Sequence, residues 1–173
     1  HCVTRRQRQM CIRDSDGVVI PEIGLKEALR SDEYLNKVPT IAGSNKDEIK
    51  LWLGFSRYFI ETKQSFLSKG IGIPTVEIKD EEKYEFYNEI RSKGWQLRGV
   101  QEPLENMFIA GNEDLYAYRY DWDNLRDFFI GDFRKIIGAA HALEIPMISG
   151  DYSLAEEFAW IIYPRSPSRR FVS

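Results

Sequence analysis

The chain has 173 residues, which is enough for one domain or for part of a larger one. A hydrophobic fraction of 43% and an aromatic fraction of 13% exclude a disordered chain. The 24 basic and 27 acidic residues weigh against a surface for nucleic acid or anionic membranes, and the chain has no apolar run of about 18 residues that could span a membrane. Both cysteines, Cys2 and Cys11, lie at the start, so we predict neither a disulfide framework nor a metal or cofactor site.

The two ends of the chain differ in composition from the middle. Residues 1–15 carry four arginines and one acid, lack an apolar period, and resemble a translated sequencing adapter. We expect this tail to be non-native, with a native basic arm as the alternative. Residues 164–173 indicate a truncated or frameshifted end. The domain is therefore expected within residues 16–163, where the absence of cysteine suits a bacterial protein and leaves its compartment open.

Hydrophobic patterning predicts a mixed α/β chain with an incomplete sheet and several helices. Residues 38–43 form a β-branched apolar run typical of an inner strand covered on both faces, and residues 115–122 alternate as a Tyr-rich strand. An extended segment is expected over 71–78. The predicted helices cover residues 25–36, 49–55, 56–69, 80–98, 104–110 and 152–162.

Glu48 is the first candidate for chemistry. It follows the predicted strand 38–43 by five residues, at the carboxyl end, where open α/β sheets place their sites. The same residues also spell a capping box, with Asn45 as N-cap and Glu48 three positions later, which needs no catalytic role. Spacing alone leaves both interpretations open and favours the cap.

His141 is the second candidate, because it is the one imidazole inside the chain. Gly138, Ala139 and Ala140 precede it, and such small residues allow another group to approach the ring closely. A histidine can act as a proton shuttle near neutral pH, although a satisfied structural histidine is the more common outcome. His141 and Glu144 could share a helical face as metal ligands, but without a second histidine or a cysteine we do not expect a metal there.

Three segments taken together carry a resemblance to a known family. The chain contains DGVVIP at 16–21, VPTIAGSNKDE at 38–48 and GAAHALEIP at 138–146, in that order. They resemble the C-terminal part of the type-B carboxylesterases, which include the cholinesterases. The Tyr-rich segment 115–122 is similar to the family's strand before the histidine loop. The resemblance covers about residues 16–160 and implies the C-terminal portion of an α/β-hydrolase fold.

The resemblance implies a role for each matching residue. Glu48 corresponds to the acid and His141 to the general base of a Ser-Glu-His triad, in the chain order of α/β-hydrolases. Glu144 corresponds to a supporting acid. The implied parent is a serine carboxylic-ester hydrolase that acts on a small-molecule ester through an acyl-enzyme.

Several departures from the family pattern separate this chain from a complete enzyme. Ile49 and Ala142 stand where the family has glycine, and Met147, Ile148 and Ser149 replace a more aromatic stretch. The chain has no Gly-x-Ser-x-Gly, so the nucleophile would belong to a missing N-terminal part of the same domain, and the fragment alone is expected to be inactive. Two other classes remain open: a catalytically silent cholinesterase-like binding or adhesion protein, and an unrelated soluble αβ binding module.

Overall fold

A computed structural model describes residues 17, 20–64, 74–125, 127–128 and 130–151. The two terminal segments, 1–15 and 164–173, and the predicted helix over 152–162 lie outside these residues. The described part is mixed α/β, as the patterning predicts. Within it, no helix combines the length and the apolar character needed to cross a membrane.

Short helices and short strands alternate along the described chain. The helices are α1 (Leu25–Leu29), α2 (Lys50–Leu53), α3 (Glu81–Gln96), α4 (Glu102–Ile109), α5 (Phe133–Ile136) and α6 (Ile145–Ser149), with a π-helical turn at Leu97–Gln101 between α3 and α4. The strands are β1 (Thr40–Asn45), β2 (Ile60–Lys63), β3 (Thr75–Ile78), β4 (Leu115–Tyr120), β5 (Asp127–Phe128) and β6 (Gly131–Asp132).

The strands pair two by two within the described residues: β1 with β4, β2 with β3 and β5 with β6. The Thr40 N–H donates to the Asp114 carbonyl and the Lys46 N–H to the Tyr120 carbonyl, both at 2.9 Å. Donor and acceptor advance together along the chain, so β1 and β4 run parallel. The other two pairs are antiparallel. A parallel pair needs a long crossover, which here contains α3.

The two predicted strands are present, but β1 is less covered than its composition suggests. Residues 38–43 and 115–122 correspond to β1 and β4. Ile41 on β1 is 69% exposed, whereas Ser44 and Asn45 at its end are buried. An inner strand is covered by its neighbours, and among the described residues β4 alone is hydrogen-bonded to β1.

Two of the predicted helices are wrong over much of their length. The helix predicted over 56–69 is wrong over its described part, 56–64, because one turn after Ser56 gives way to β2, while residues 65–69 lie outside the described residues. There, the Lys63 ammonium lies 2.7 Å from Glu77 across the strand pair and 2.8 Å from Glu61 on its own strand. Residues two apart share a face of a strand but do not face each other on a helix. The helix predicted over 25–36 ends at Leu29.

The chain divides into two compact units. The first comprises His1–Ala42 and Leu97–Tyr118, and its buried apolar residues include Ala28, Val100 and Ala110. The second comprises Gly43–Gln96 and Arg119–Ser173. Its core is an apolar cluster of Leu53, Phe59, Ile60, Tyr84 and Ile136. Both candidate residues, Glu48 and His141, belong to this second unit.

Helix α3 presents a largely polar stripe to the interior. It begins at an N-cap, since the Asp80 carboxylate accepts the Lys83 N–H at 3.0 Å. Its buried side chains are Tyr84, Asn88 and Ser92, spaced one turn apart. The helical period over 80–98 predicts one apolar face that carries Tyr84, Tyr87, Ile90 and Leu97. This prediction is wrong beyond Tyr84, because the other three are 43–54% exposed.

Tyr84 anchors α3 in the core of the second unit. The side chain is fully buried, and its hydroxyl donates to the Ile136 carbonyl at 2.6 Å. Burial raises the pKa of Tyr84, because the phenolate would lose its hydration.

We expect the stability of the protein to fall in alkali through Tyr84. The contribution is complete below about pH 10, where an unfolded tyrosine keeps its proton, and it is lost progressively above that pH because only the unfolded chain ionises. Tyr84→Phe should lower the free energy of unfolding at pH 7 by about 1 kcal/mol and flatten the decline above pH 10, measured by urea unfolding at several pH values. Tyr116→Phe, at a 59% exposed position, should keep the wild-type slope. An unchanged slope in Tyr84→Phe would contradict the assignment.

Candidate active site

The turn after β1 places two acidic residues inside the second unit. β1 ends at Asn45, and a turn over 46–49 leads into α2. The Asp47 N–H donates to the Ala139 carbonyl at 3.1 Å, which ties this turn to the loop that precedes His141. Asp47 and Glu48 are each only 3% exposed.

Glu48 and His141 lie in direct contact. The Glu48 Oε2 atom is 2.8 Å from the imidazole Nδ1 atom, although 93 residues separate the two in the chain. The other carboxylate oxygen, Oε1, accepts the Asn45 backbone N–H at 2.7 Å. This second bond is the one that a capping-box glutamate makes, and it leaves the other oxygen free to contact the imidazole. No helix begins at Asn45, however, since α2 starts at Lys50.

The imidazole is oriented so that its other nitrogen is available for proton transfer. His141 contacts Glu48 through Nδ1, and 39% of its side chain is exposed. A carboxylate at Nδ1 favours the tautomer with the proton on that nitrogen, which leaves Nε2 as the acceptor. A carboxylate and an imidazole in this order form the acid–base half of a nucleophilic triad.

Two tryptophans flank the imidazole. The His141 ring centroid lies 5.1 Å from that of Trp52 on α2 and 5.3 Å from that of Trp95 on α3. The two indoles are themselves 5.9 Å apart. These contacts restrict the ring and hold it at the edge of an aromatic surface.

Asn45 connects the strand end to the segment after the histidine. Its amide Nδ2 donates to the Ala140 carbonyl at 2.6 Å and to the Glu144 carboxylate at 2.5 Å. Glu144 thus bonds the strand end, which agrees with a supporting rather than a catalytic carboxylate. The Asn45 Oδ1 atom is buried and has no hydrogen-bond partner among the described residues.

Asp47 holds the backbone of the histidine loop. Its Oδ2 atom accepts the Ala139 N–H at 3.1 Å, and its Oδ1 atom accepts the Asn88 amide at 2.6 Å. The buried Lys50 ammonium lies 3.6 Å from Oδ1 and 2.7 Å from the Glu85 carboxylate. Two carboxylates and one ammonium therefore form a network in which each buried charge has a partner.

The small residues before His141 are required by close packing. Ala139 and Ala140 are fully buried. Gly138 has a φ of +55°, and a Cβ atom added there would lie 2.5 Å from the Asp47 Oδ2 atom. The group that approaches this stretch closely is thus a carboxylate bound to its backbone.

The two departures from the family's glycines have different structural consequences. Ile49 has a φ of −83°, which any residue adopts, so a glycine is not needed there. Ala142 has a φ of +69°, in the left-handed region that favours glycine. A non-glycine residue there costs about 1–2 kcal/mol of backbone strain.

Sequence patterns did not single out several residues that position the pair. Asn88 and Ser92 on α3, and Trp52 and Trp95 beside the ring, belong to this group, and the Ser92 hydroxyl accepts the Ile49 N–H at 3.3 Å. The spacing of Asn88 and Ser92 by one helical turn was the sequence signal that could have indicated a polar stripe on one face of this helix. Among the described residues, no group of three His, Cys, Asp or Glu side chains could hold a metal ion.

Comparisons with models of known families, with curated proteins and with solved structures gave no match to this chain. The support for a function therefore comes from the geometry of Glu48 and His141 and from the resemblance of three segments to the type-B carboxylesterases.

The two Glu48 oxygens bind different partners, and this difference predicts the effect of Glu48→Gln. The amide oxygen must stay on the Asn45 N–H donor, so the amide NH₂ would face Nδ1 of His141. The ring would then carry its proton on Nε2, the wrong nitrogen for a general base. We expect ¹⁵N NMR of labelled histidine to show an Nδ1-protonated neutral ring in the wild type and an Nε2-protonated ring in Glu48→Gln. The His1→Gln variant lacks the second histidine and so identifies the signals of His141. An unchanged His141 tautomer in Glu48→Gln would contradict the contact between Glu48 and Nδ1.

Gly138→Ala should be strongly destabilising because the new methyl group would displace the Asp47 carboxylate from Ala139 and Asn88. We expect a loss of about 3 kcal/mol or more in the free energy of unfolding, measured by urea denaturation. Gly150→Ala is the matched control, since Gly150 has a φ of +69° but no neighbour within 4 Å of an added Cβ atom. Equal losses in the two variants would show that backbone strain, and not the Asp47 contact, decides the cost.

Proposed function

We propose that this chain supplies the acid and the base of a Ser-Glu-His triad in a serine carboxylic-ester hydrolase. The observation that carries the proposal is the 2.8 Å contact between the buried Glu48 carboxylate and Nδ1 of a partly exposed His141. Its support from the sequence is the resemblance of segments 16–21, 38–48 and 138–146 to the type-B carboxylesterases. The serine nucleophile would come from a part of the protein that this sequence does not include.

In the proposed reaction, His141 moves the proton at each step. Nε2 takes the proton of the serine hydroxyl as its oxygen attacks the ester carbonyl, and the tetrahedral intermediate forms. Nε2 then returns that proton to the departing alcohol, which leaves an acyl-enzyme. In the second half, Nε2 takes a proton from water as the water attacks the acyl group, and returns it to the serine as the carboxylic acid leaves.

Glu48 contributes by orienting and stabilising the imidazole. Its carboxylate keeps the Nδ1 proton in place and stabilises the imidazolium that forms in each half-reaction. Because Glu48 is 3% exposed and also bound to Asn45, it holds one position throughout. The carboxylate is preorganised, so little reorganisation is required when charge develops on the ring.

The test is ester hydrolysis by the protein encoded in the complete reading frame. The frame should contain a Gly-x-Ser-x-Gly upstream of these residues, and the protein should hydrolyse p-nitrophenyl acetate. His141→Ala should lower kcat by about 10³-fold or more, and Glu48→Gln by about 10²–10⁴-fold through the wrong tautomer. Glu89→Gln is the matched control, since it makes the same substitution at an exposed carboxylate on α3.

Two outcomes would overturn the proposal. A frame whose nucleophile position lacks serine would instead favour a catalytically silent binding relative. Full activity in His141→Ala would mean that the hydrogen bond between Glu48 and His141 has a structural role only.

A further inference from the structure

The surface beside His141 contains a cavity that the triad roles do not use. It has a volume of about 350 Å³ and is lined by Ile49, Trp52, Arg91 and Trp95. Trp52 and Trp95 are the same two indoles that contact the imidazole. A group bound in this cavity would therefore lie next to the ring that performs proton transfer.

The lining of the cavity is aromatic and carries one positive charge. Trp52 and Trp95 are 48% and 41% exposed, so both present ring surface to a ligand. Arg91 and Trp95 are one turn apart on α3, and this spacing places them on one face of the helix. An aromatic wall next to a guanidinium suits a ligand that combines an apolar ring with a negative charge.

The charge of Arg91 is available, in contrast to the neighbouring cations. Lys50 pairs with Glu85 at 2.7 Å, and Lys93 pairs with Glu89 at 2.6 Å. Within the described residues, no acidic side chain pairs with Arg91, which is exposed at the cavity. The whole chain has a net charge of −3, so an anion would be attracted here by this local cation and not by the overall field.

We infer that this cavity, bounded by Ile49, Trp52, Arg91 and Trp95, binds a carboxylate-bearing aromatic group of the substrate. The inference rests on the proposed function and narrows it: the preferred esters carry a free carboxylate on an aromatic portion, as in a half-ester of an aromatic dicarboxylic acid. The ring packs against the indoles, and the carboxylate accepts hydrogen bonds from the Arg91 guanidinium. The cavity itself makes or breaks no bond.

The test compares two matched probes on the full chain. Benzoate carries the charge, and benzamide is its neutral isostere. Binding of each is followed by quenching of tryptophan fluorescence, and Trp95→Leu is expected to reduce the quenching to the part that Trp52 contributes. We expect benzoate to bind about tenfold more tightly than benzamide, and this preference to disappear in Arg91→Gln. Lys93→Gln, which removes an exposed cation from the same helix, should keep the preference.

Equal binding of benzoate and benzamide to the wild type would overturn the inference. An equal loss of benzoate affinity in Lys93→Gln and Arg91→Gln would also overturn it, because the loss would then follow from the lower positive charge of the protein and not from the Arg91 guanidinium.

The outcome is separable from that of the proposed function. Glu48→Gln leaves the cavity intact, so it should bind benzoate as the wild type does even though it disables hydrolysis. Selective benzoate binding in a protein whose hydrolysis does not depend on Glu48 and His141 would refute the esterase proposal, and with it the ester substrate, but would leave the cavity as a binding site for aromatic carboxylates. Hydrolysis that depends on Glu48 and His141, without a preference for benzoate over benzamide, would refute the cavity assignment alone.

Discussion

Two adjacent buried carboxylates, Asp47 and Glu48, hold the candidate site together. Burying a charge is costly unless hydrogen bonds and opposite charges compensate for the lost hydration. Each of their four oxygens therefore has a specific partner: Ala139 and Asn88 for Asp47, Asn45 and His141 for Glu48. Asp47 fixes the backbone of the histidine loop and Glu48 fixes the ring, so the position of the imidazole depends on one turn after β1.

The polar interior of α3 is a consequence of that requirement. A helix that packs on a carboxylate cannot present only apolar side chains, because the charge would lose its compensation. The Asn88 amide donates to Asp47, and the Ser92 hydroxyl donates to the side-chain Oδ1 atom of Asn88 at 3.0 Å while accepting from the Ile49 N–H. Tyr84, one turn earlier, belongs to the apolar core. One helix thus joins the core to the polar network.

The sequence predicted the elements whose signals are local. β1, β4 and α3 follow from β-branched runs, alternation and an acidic helix start, and the Glu48–His141 pair follows from family resemblance. Asn88, Ser92 and Trp95 were missed because polar or aromatic residues at helical spacing look the same on a solvated face and on a buried one. β2 was missed because its stability comes from pairing with β3. The bond from Asn45 to one Glu48 oxygen is the one that the capping-box interpretation expects, although no helix begins there, and the catalytic role of the other oxygen stays a prediction.

Ile49, which stands where the resembled family has glycine, lines the cavity beside His141. Its backbone conformation is one that any residue adopts, so exchanging glycine for isoleucine leaves the turn intact. The isoleucine side chain instead forms one wall of the cavity, facing the indoles that orient His141. Those two rings contact the imidazole and also line the cavity, so a group bound in the cavity would lie against the rings that flank His141. On the proposed function, substrate recognition and orientation of the base thus share one aromatic surface.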